Sequence, residues 1–357
     1  MGVEVVRARE TAREEAIRPA EPADMRRVLE GVSRTFALTI PALPDDLRDV
    51  VTNGYLLCRI ADTIEDDPAL PADGKRRLHR EFHAAVTGER DPVPLAEEIS
   101  RALSDRPLPA ERALLRDMPT VIRATRGFGE RKVAALSRCV RIMCDGMSRY
   151  PSGREGGGLR DIEELHAYCY HVAGVVGELL TDLFCEHAPE IAARRSELLA
   201  RAVSFGQGLQ LTNILKDVAD DASRGTVFVP RSVAARHRLA PEALLDPRQR
   251  GAARAALLDL AVVAVSGLDA ALAFTLLIPR RETRLRLFCA WPLFLAVRTL
   301  RRVLEDERVL EPGARARISR AEVRGTLGRT TAAIWSNRLI RSLYARERGA
   351  LGLSAAG

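Results

Sequence analysis

Aromatic residues make up only 4% of the 357-residue chain, and lysine occurs just three times, at Lys75, Lys132 and Lys216. A core so poor in rings must be packed chiefly by Leu, Ala and Val. No segment sustains the apolar/polar alternation of a half-buried strand, which argues against a sheet-based fold. The six cysteines (Cys58, Cys139, Cys144, Cys169, Cys185, Cys289) include no C-x-x-C pair. Lying in separate helical contexts, they read as buried free thiols in a reducing, cytoplasmic compartment and not as a disulfide frame or a zinc site. The first 24 residues lack the apolar core of a secretory signal. No uninterrupted apolar run reaches transmembrane length, since the richest stretch, Ala255 to Pro279, carries Asp259 and Asp269. A soluble protein, at most peripheral to a membrane and without a transmembrane anchor, is expected. No dinucleotide fingerprint occurs, because Gly127-Phe-Gly129 lacks the strand context. No nucleic-acid module or basic-aromatic interleaving occurs either, so no nucleic-acid partner is expected.

What is present is helical periodicity and arginine. The net charge of +7 comes almost wholly from Arg, and such a surface favours anionic partners. Residues 1–22 read as a mobile leader, 23–346 as one all-α domain, and 347–357 as a tail. Helices are expected from about Ala23, from Asp45 or Asp46 to Asp66, and across Arg131–Tyr150. Further ones follow over Ile162–Glu186, Glu190–Asp221, Arg248–Leu277, Glu282–Leu304 and Ser319–Arg346. The run Ser152-Gly-Arg-Glu-Gly-Gly-Gly158 is the most flexible internal loop.

Two of these helices end in acid. Asp62 and Asp66 are spaced i,i+4, as are Asp217 and Asp221, so each pair shares one helix face with Cβ atoms about 5–6 Å apart. Like charges so placed cost an isolated helix roughly 0.2–0.5 kcal/mol per pair. Upstream of each pair runs a polar stripe, Tyr55 and Arg59 on the first helix, Gln210 and Asn213 on the second. Apolar residues flank both stripes, where a solvated face would carry mixed Lys, Arg and Glu. Hard oxygen ligands with open positions suit Mg²⁺ carrying a phosphate-bearing substrate. The alternative is that each acid group caps a loop or pairs with a surface arginine; finding two groups with matching stripes favours the metal.

Four blocks then resemble the squalene/phytoene synthase family of head-to-head prenyl transferases. They are Ser33-Arg-Thr-Phe36, Tyr55 through Asp67, Tyr168-Cys-Tyr-His-Val-Ala-Gly-Val-Val-Gly177, and Gln210 through Asp221 with Arg224-Gly225 and Pro230. The resemblance implies the all-α isoprenoid synthase fold, with both acidic helices facing one central cavity. Phe288-Cys-Ala-Trp-Pro292 is similar to the squalene-forming branch, whereas Asn213-Ile-Leu-Lys-Asp217 and Arg224-Gly225 are closer to bacterial phytoene-forming members. Lys216 stands where the family usually has Arg, which keeps charge and loses bidentate geometry.

The implied reaction joins two farnesyl diphosphates through presqualene diphosphate and reduces the product with NADPH. Alternatives are an enzyme stopping at presqualene diphosphate, dehydrosqualene or phytoene, and a non-catalytic membrane-associated scaffold of the same fold. Asp62, Asp66, Asp217 and Asp221 would hold Mg²⁺. Glu65 and Asp220 either assist or face solvent. Ser33 belongs to the substrate-binding set, and Arg34 and Arg59 would grip phosphates. Val172, Val176, Leu180, Leu209, Phe288 and Pro292 would wall the carbocation from water. Gly174 and Gly177 would allow close helix approach. Tyr168 matches the family tyrosine proposed to assist proton removal; a neutral phenol, with an ordinary pKa of about 10, is a poor base and could instead stabilise cations through its ring. Lys216, Arg317 and Arg320 are the candidates for NADPH phosphates.

Overall fold

A computed structural model describes residues 22–33, 35–149, 158–314 and 316–353. The expected leader (apart from Pro22), Arg34 and all but Gly158 of the glycine-rich run therefore lie outside the described residues. No strand occurs among the described residues. The helices in chain order are α1 (Pro22–Val32), α2 (Thr35–Thr39), α3 (Asp45–Asp66), α4 (Ala72–Thr87), α5 (Pro92–Ala102) and α6 (Pro109–Arg116). Next come α7 (Met118–Gly127), α8 (Glu130–Arg149), α9 (Ile162–Cys169), α10 (Val175–His187), α11 (Pro189–Ala192) and α12 (Arg195–Lys216). The last are α13 (Val218–Ser223), α14 (Arg231–Arg236), α15 (Arg250–Leu277), α16 (Thr283–Glu305), α17 (Arg320–Ala333) and α18 (Asn337–Gly349).

Two apolar clusters fill the bundle. One gathers α1 to α8 and α10 with one end each of α12, α15 and α16, and the other gathers α9, α13, α14, α17 and α18 with the rest of α12, α15 and α16. Phe205 on α12 packs against both, so α12, α15 and α16 join the two. On α3, Leu56, Leu57, Ile60 and Ile64 are fully buried, and each such side chain stabilises the fold by roughly 1.5–3 kcal/mol. By length and composition residues 247–277 could cross a membrane. Here the helix in that stretch, α15, buries Leu257, Leu260, Ala264 and Leu268 in the second cluster. Its contact with α12 is backbone to backbone, for a Cβ on Gly267 would lie 2.6 Å from the Gly208 Cα.

Three long helices expected from periodicity are interrupted. The helix over Ile162–Glu186 contains a π-helical turn at Tyr170–Gly174. The one over Glu190–Asp221 breaks at residues 193–194 and again at Asp217, whose ψ of 10° leaves the helical range. The one over Ser319–Arg346 stops at Ala333 and restarts after Ser336, whose hydroxyl accepts from Leu339 N at 3.3 Å. The final helix also runs to Gly349, past the expected start of the tail, because Glu347 is buried against Arg298 Nη2 at 2.7 Å.

Candidate active site

The C-terminal end of α3 is where the site begins. Helix α3 has acid in its first turn and none of the basic residues that would oppose the negative end of its dipole in its last. Instead Asp62, Glu65 and Asp66 crowd that end. Asp67, the residue after the helix, is fully committed elsewhere: its carboxylate accepts from Ala69 N at 2.8 Å, Ser104 N at 3.0 Å and Ser104 Oγ at 2.8 Å. Glu65 is buried with Lys75 Nζ 3.7 Å away, yet its Oε1 has no hydrogen-bond donor. Burial raises its pKa to about 7 against the pull of Lys75.

Asp62 and Asp66 open into a cavity of about 690 Å³, within the range of small-molecule sites. Asp62 is pushed up to about 7, first by desolvation, with Asp66 and Glu111 adding to it and Arg59 opposing. Asp66 is accessible to water yet surrounded by protein, and desolvation raises it too, against Arg59, Lys75 and Arg224. These carboxylates are held charged only at a cost.

The second pair, carried by a different part of the chain, lines the same cavity. Asp217 sits at the break between α12 and α13, and the i,i+4 spacing survives because Asp221 N still donates to Asp217 O at 2.9 Å. Lys216 Nζ lies 3.2 Å from Asp217 Oδ2, and Arg224 pairs with Asp221. Asp221 is raised by desolvation, with Asp217 and Asp66 contributing and Arg224 opposing. Asp66 is near enough to act on Asp221, so the two pairs share the electrostatics of one cavity.

Most of the expected residues meet here. Tyr55, Arg59, Gln210, Asn213 and Lys216 line the polar part, and Val172, Val176, Leu180 and Leu209 the apolar walls. Phe288 and Pro292 also line the cavity, and Phe288 packs edge-on against Phe184 with ring centroids 6.1 Å apart. Tyr168 stands beneath the acids, 5.0 Å from the Phe228 ring. Its hydroxyl is raised well above the usual phenol range by burial, then by Cys169, Asp66, Asp62 and Asp221. A phenol so placed stays neutral, which weighs against a base and leaves the ring-face role open. Gly177 has the packing role expected of it, for a Cβ there would lie 2.2 Å from the Ala202 carbonyl oxygen of α12.

Other expected residues do not line the cavity. Ser33 Oγ accepts from Phe36 N at 3.0 Å, the geometry of a cap on α2. Arg317 and Arg320 are exposed and outside the lining, and Asp220 is also outside it.

The sequence reading missed Glu111, Arg106, Thr226 and Phe228, all of which line the cavity. Glu111 binds Arg59 and accepts from Leu108 N at 2.8 Å, while Arg59 Nη1 is 4.0 Å from Asp62 Oδ2. A helix-start signal was present, Pro109 followed by Glu111, but nothing local pairs it with Arg59. Thr226 and Phe228 follow Gly225, whose φ of 79° turns the chain back beneath Asp221.

The donor set suits hard cations. Carboxylate oxygens in pairs, one of them with its pKa raised to about 7, and the unsatisfied Glu65 Oε1 all favour bound positive charge. Among the described residues no three Asp, Glu, His or Cys side chains form a ready-made metal cage. Each ion would need oxygens from a ligand as well, the usual habit of Mg²⁺ at phosphate sites.

Comparison with known proteins agrees with this geometry. Residues 29–322 match the family model described as squalene/phytoene synthase. The squalene synthase of Schizosaccharomyces pombe is 29% identical over 311 residues, covering 84% of this chain and 64% of that protein. Squalene synthase ERG9 of Gibberella zeae is 30% identical over 290 residues, covering 80% and 59%. The chain thus spans about three fifths of the length of these curated relatives. Among solved structures, TcSQS in complex with the ligand BPH1237 superposes with a TM-score of 0.75 at 23% identity, covering 93% of this chain and 98% of that one. At that identity the likeness establishes the fold.

Proposed function

The chain belongs to the squalene/phytoene synthase family, and from that premise we propose that it is a farnesyl-diphosphate farnesyltransferase of the squalene synthase type. Two farnesyl diphosphates would condense head to head to presqualene diphosphate, releasing one diphosphate and one proton. Hydride would then replace the second diphosphate to give squalene. One observation carries this reading: two carboxylate pairs line a single cavity that combines a charged, polar part with a wall of apolar side chains.

Asp62, Asp66, Asp217 and Asp221 would hold Mg²⁺, which neutralises the departing diphosphate. Glu65, drawn toward Lys75, is the weaker of the expected ligands. Arg59 would orient Asp62 while meeting phosphate, since its Nε is buried without a partner. The walls formed by Val172, Val176, Leu180, Leu209 and Phe288 would keep water from the cation. NADPH would supply the hydride. Of the three residues expected to meet its phosphates, Lys216 is at the cavity, and Arg317 and Arg320 would serve only a cofactor reaching well outside it.

Peripheral membrane contact is the second part of the proposal. On and before α18, Trp335 is 64% and Leu339 54% exposed, beside exposed Arg338, Arg341 and Arg346. An amphipathic ring, an apolar side chain and three cations suit an anionic bilayer surface. Arg348 does not join them, since its Nε donates to Asp269 Oδ1 at 3.0 Å. Binding to vesicles containing phosphatidylserine that is lost in Trp335→Ser would support docking; equal sedimentation of both proteins would oppose it.

The decisive experiment is incubation of the purified protein with farnesyl diphosphate and Mg²⁺, with and without NADPH. Squalene only when NADPH is present is the expected result. Presqualene diphosphate in both cases would reduce the activity to the first condensation. Inertness toward every prenyl diphosphate would leave a scaffold.

A further inference from the structure

The cations at the polar part of the cavity are not alike. Arg59 is paired with Glu111 and lies near Asp62, Lys216 is paired with Asp217, and Arg224 with Asp221. Each already has a carboxylate to neutralise it. Arg106 also lines the cavity and is exposed, but among the described residues its guanidinium has no ion pair or hydrogen bond; only its backbone N–H is engaged, with Ser104 Oγ at 3.2 Å.

Its position is not left to a loose loop. The short segment carrying Arg106 is fastened at both ends to the region of the first acid pair. At one end Ser104 donates twice to Asp67, which is 2% exposed and immediately follows α3. At the other, Leu108 N donates to Glu111, the same carboxylate that holds Arg59. Pro107 stiffens the span between them. Two buried or half-buried carboxylates are thus spent on presenting one unneutralised guanidinium at the rim. Arg59 and Arg106 are mechanically linked through Glu111.

We infer that Arg106 is a further substrate-binding residue, taking the outward oxygens of a prenyl diphosphate whose inner oxygens face the acid-bound cations. A diphosphate carries more negative charge than the paired cations can answer. A forked donor with no internal partner meets that charge without first breaking a salt bridge. This inference rests on the reading of the chain as a prenyl-diphosphate enzyme.

The test compares wild type, Arg106→Gln, Arg106→Lys and the exposed control Arg116→Gln, each as the full chain. Calorimetric titration with pyrophosphate in excess Mg²⁺ is paired with steady-state condensation of farnesyl diphosphate without NADPH. Losing one charge-assisted contact at an exposed rim should weaken pyrophosphate binding and raise KM about five- to tenfold in Arg106→Gln. kcat should stay within about twofold and Tm should be unchanged, with Arg106→Lys in between and Arg116→Gln like wild type. Wild-type affinity and KM in Arg106→Gln would overturn the inference while leaving the enzyme reading intact. A wild-type protein that neither binds pyrophosphate nor consumes farnesyl diphosphate would overturn the enzyme reading itself, and this inference with it.

Discussion

The two acid pairs have the same spacing and opposite electrostatic settings. Asp62 and Asp66 end a regular helix, with Glu65 and Glu111 close by; among the described residues Arg59 is the cation that acts on both, itself shared with Glu111, while Lys75 and Arg224 reach Asp66. Asp217 and Asp221 straddle a helix break and each has its own cation, Lys216 and Arg224. The first pair is therefore short of positive charge at rest, and the second is already balanced. A metal–diphosphate complex, if it loads as proposed, would relieve repulsion at the first pair and would require an exchange of partners at the second.

The sharpest way to break this contrast is to remove an acid from the first pair. Asp66→Ala should cut turnover of farnesyl diphosphate about a thousandfold, the weight of several kcal/mol of metal-borne charge stabilisation. Equal activity in Asp66→Ala and wild type, measured as product formed per minute, would refute the idea that this pair holds the ion. A smaller effect is expected from Glu111→Gln, which weakens the grip on Arg59 and on Leu108 N together. kcat/KM should fall about tenfold with little change in helical content by circular dichroism.

The smallest effect concerns stability. In the folded protein Asp62 and Glu65 are both raised to about 7 from ordinary values of 3.8 and 4.5. The fold binds these protons more tightly than the unfolded chain, so their stabilising contribution is complete below about pH 4 and is lost as pH climbs through 7. Metal-free protein should melt lower at pH 8 than at pH 5, and Mg²⁺ should restore more at pH 8. Asp62→Asn should flatten that slope and raise the metal-free melting temperature at pH 8 by about 2–4 °C. A slope unchanged in the variant would show that Asp62 is not the group responsible.

Both pairs were legible in the sequence because i,i+4 carboxylates inside apolar helices are a local pattern, readable without knowing the fold. The all-α class followed from periodicity, and the helix ends near Asp66, Arg149 and Leu277 followed from flanking Pro, Gly and acid. What could not be read came from long-range contacts. Glu111 is 52 residues from the arginine it holds, and Arg106 owes its place to two carboxylates on other elements. Phe228 reaches Tyr168 through a left-handed turn at Gly225. The interruptions at Asp217 and at Tyr170–Gly174 were invisible for another reason: apolar residues continue through them, so the pattern looks unbroken while the backbone is not. Conversely, Arg317 and Arg320 came from the family resemblance, in a chain where arginine is common, and both stand outside the cavity.

The π-helical turn at Tyr170–Gly174 has a consequence for insertions and deletions. Such a turn accommodates one extra residue within an otherwise α-helical run, so it acts as a phase shifter between Tyr168 upstream and Val176 and Leu180 downstream. Deleting a single residue there would let the helix close up with both halves in place, whereas winding the same residues as regular α-helix would swing one half about 100° relative to the other. Either the ring beneath the acids or the greasy wall below it would then point away from the substrate. What the wide turn preserves is thus the facing of the two halves, and a substitution that rewound it would lose one of them.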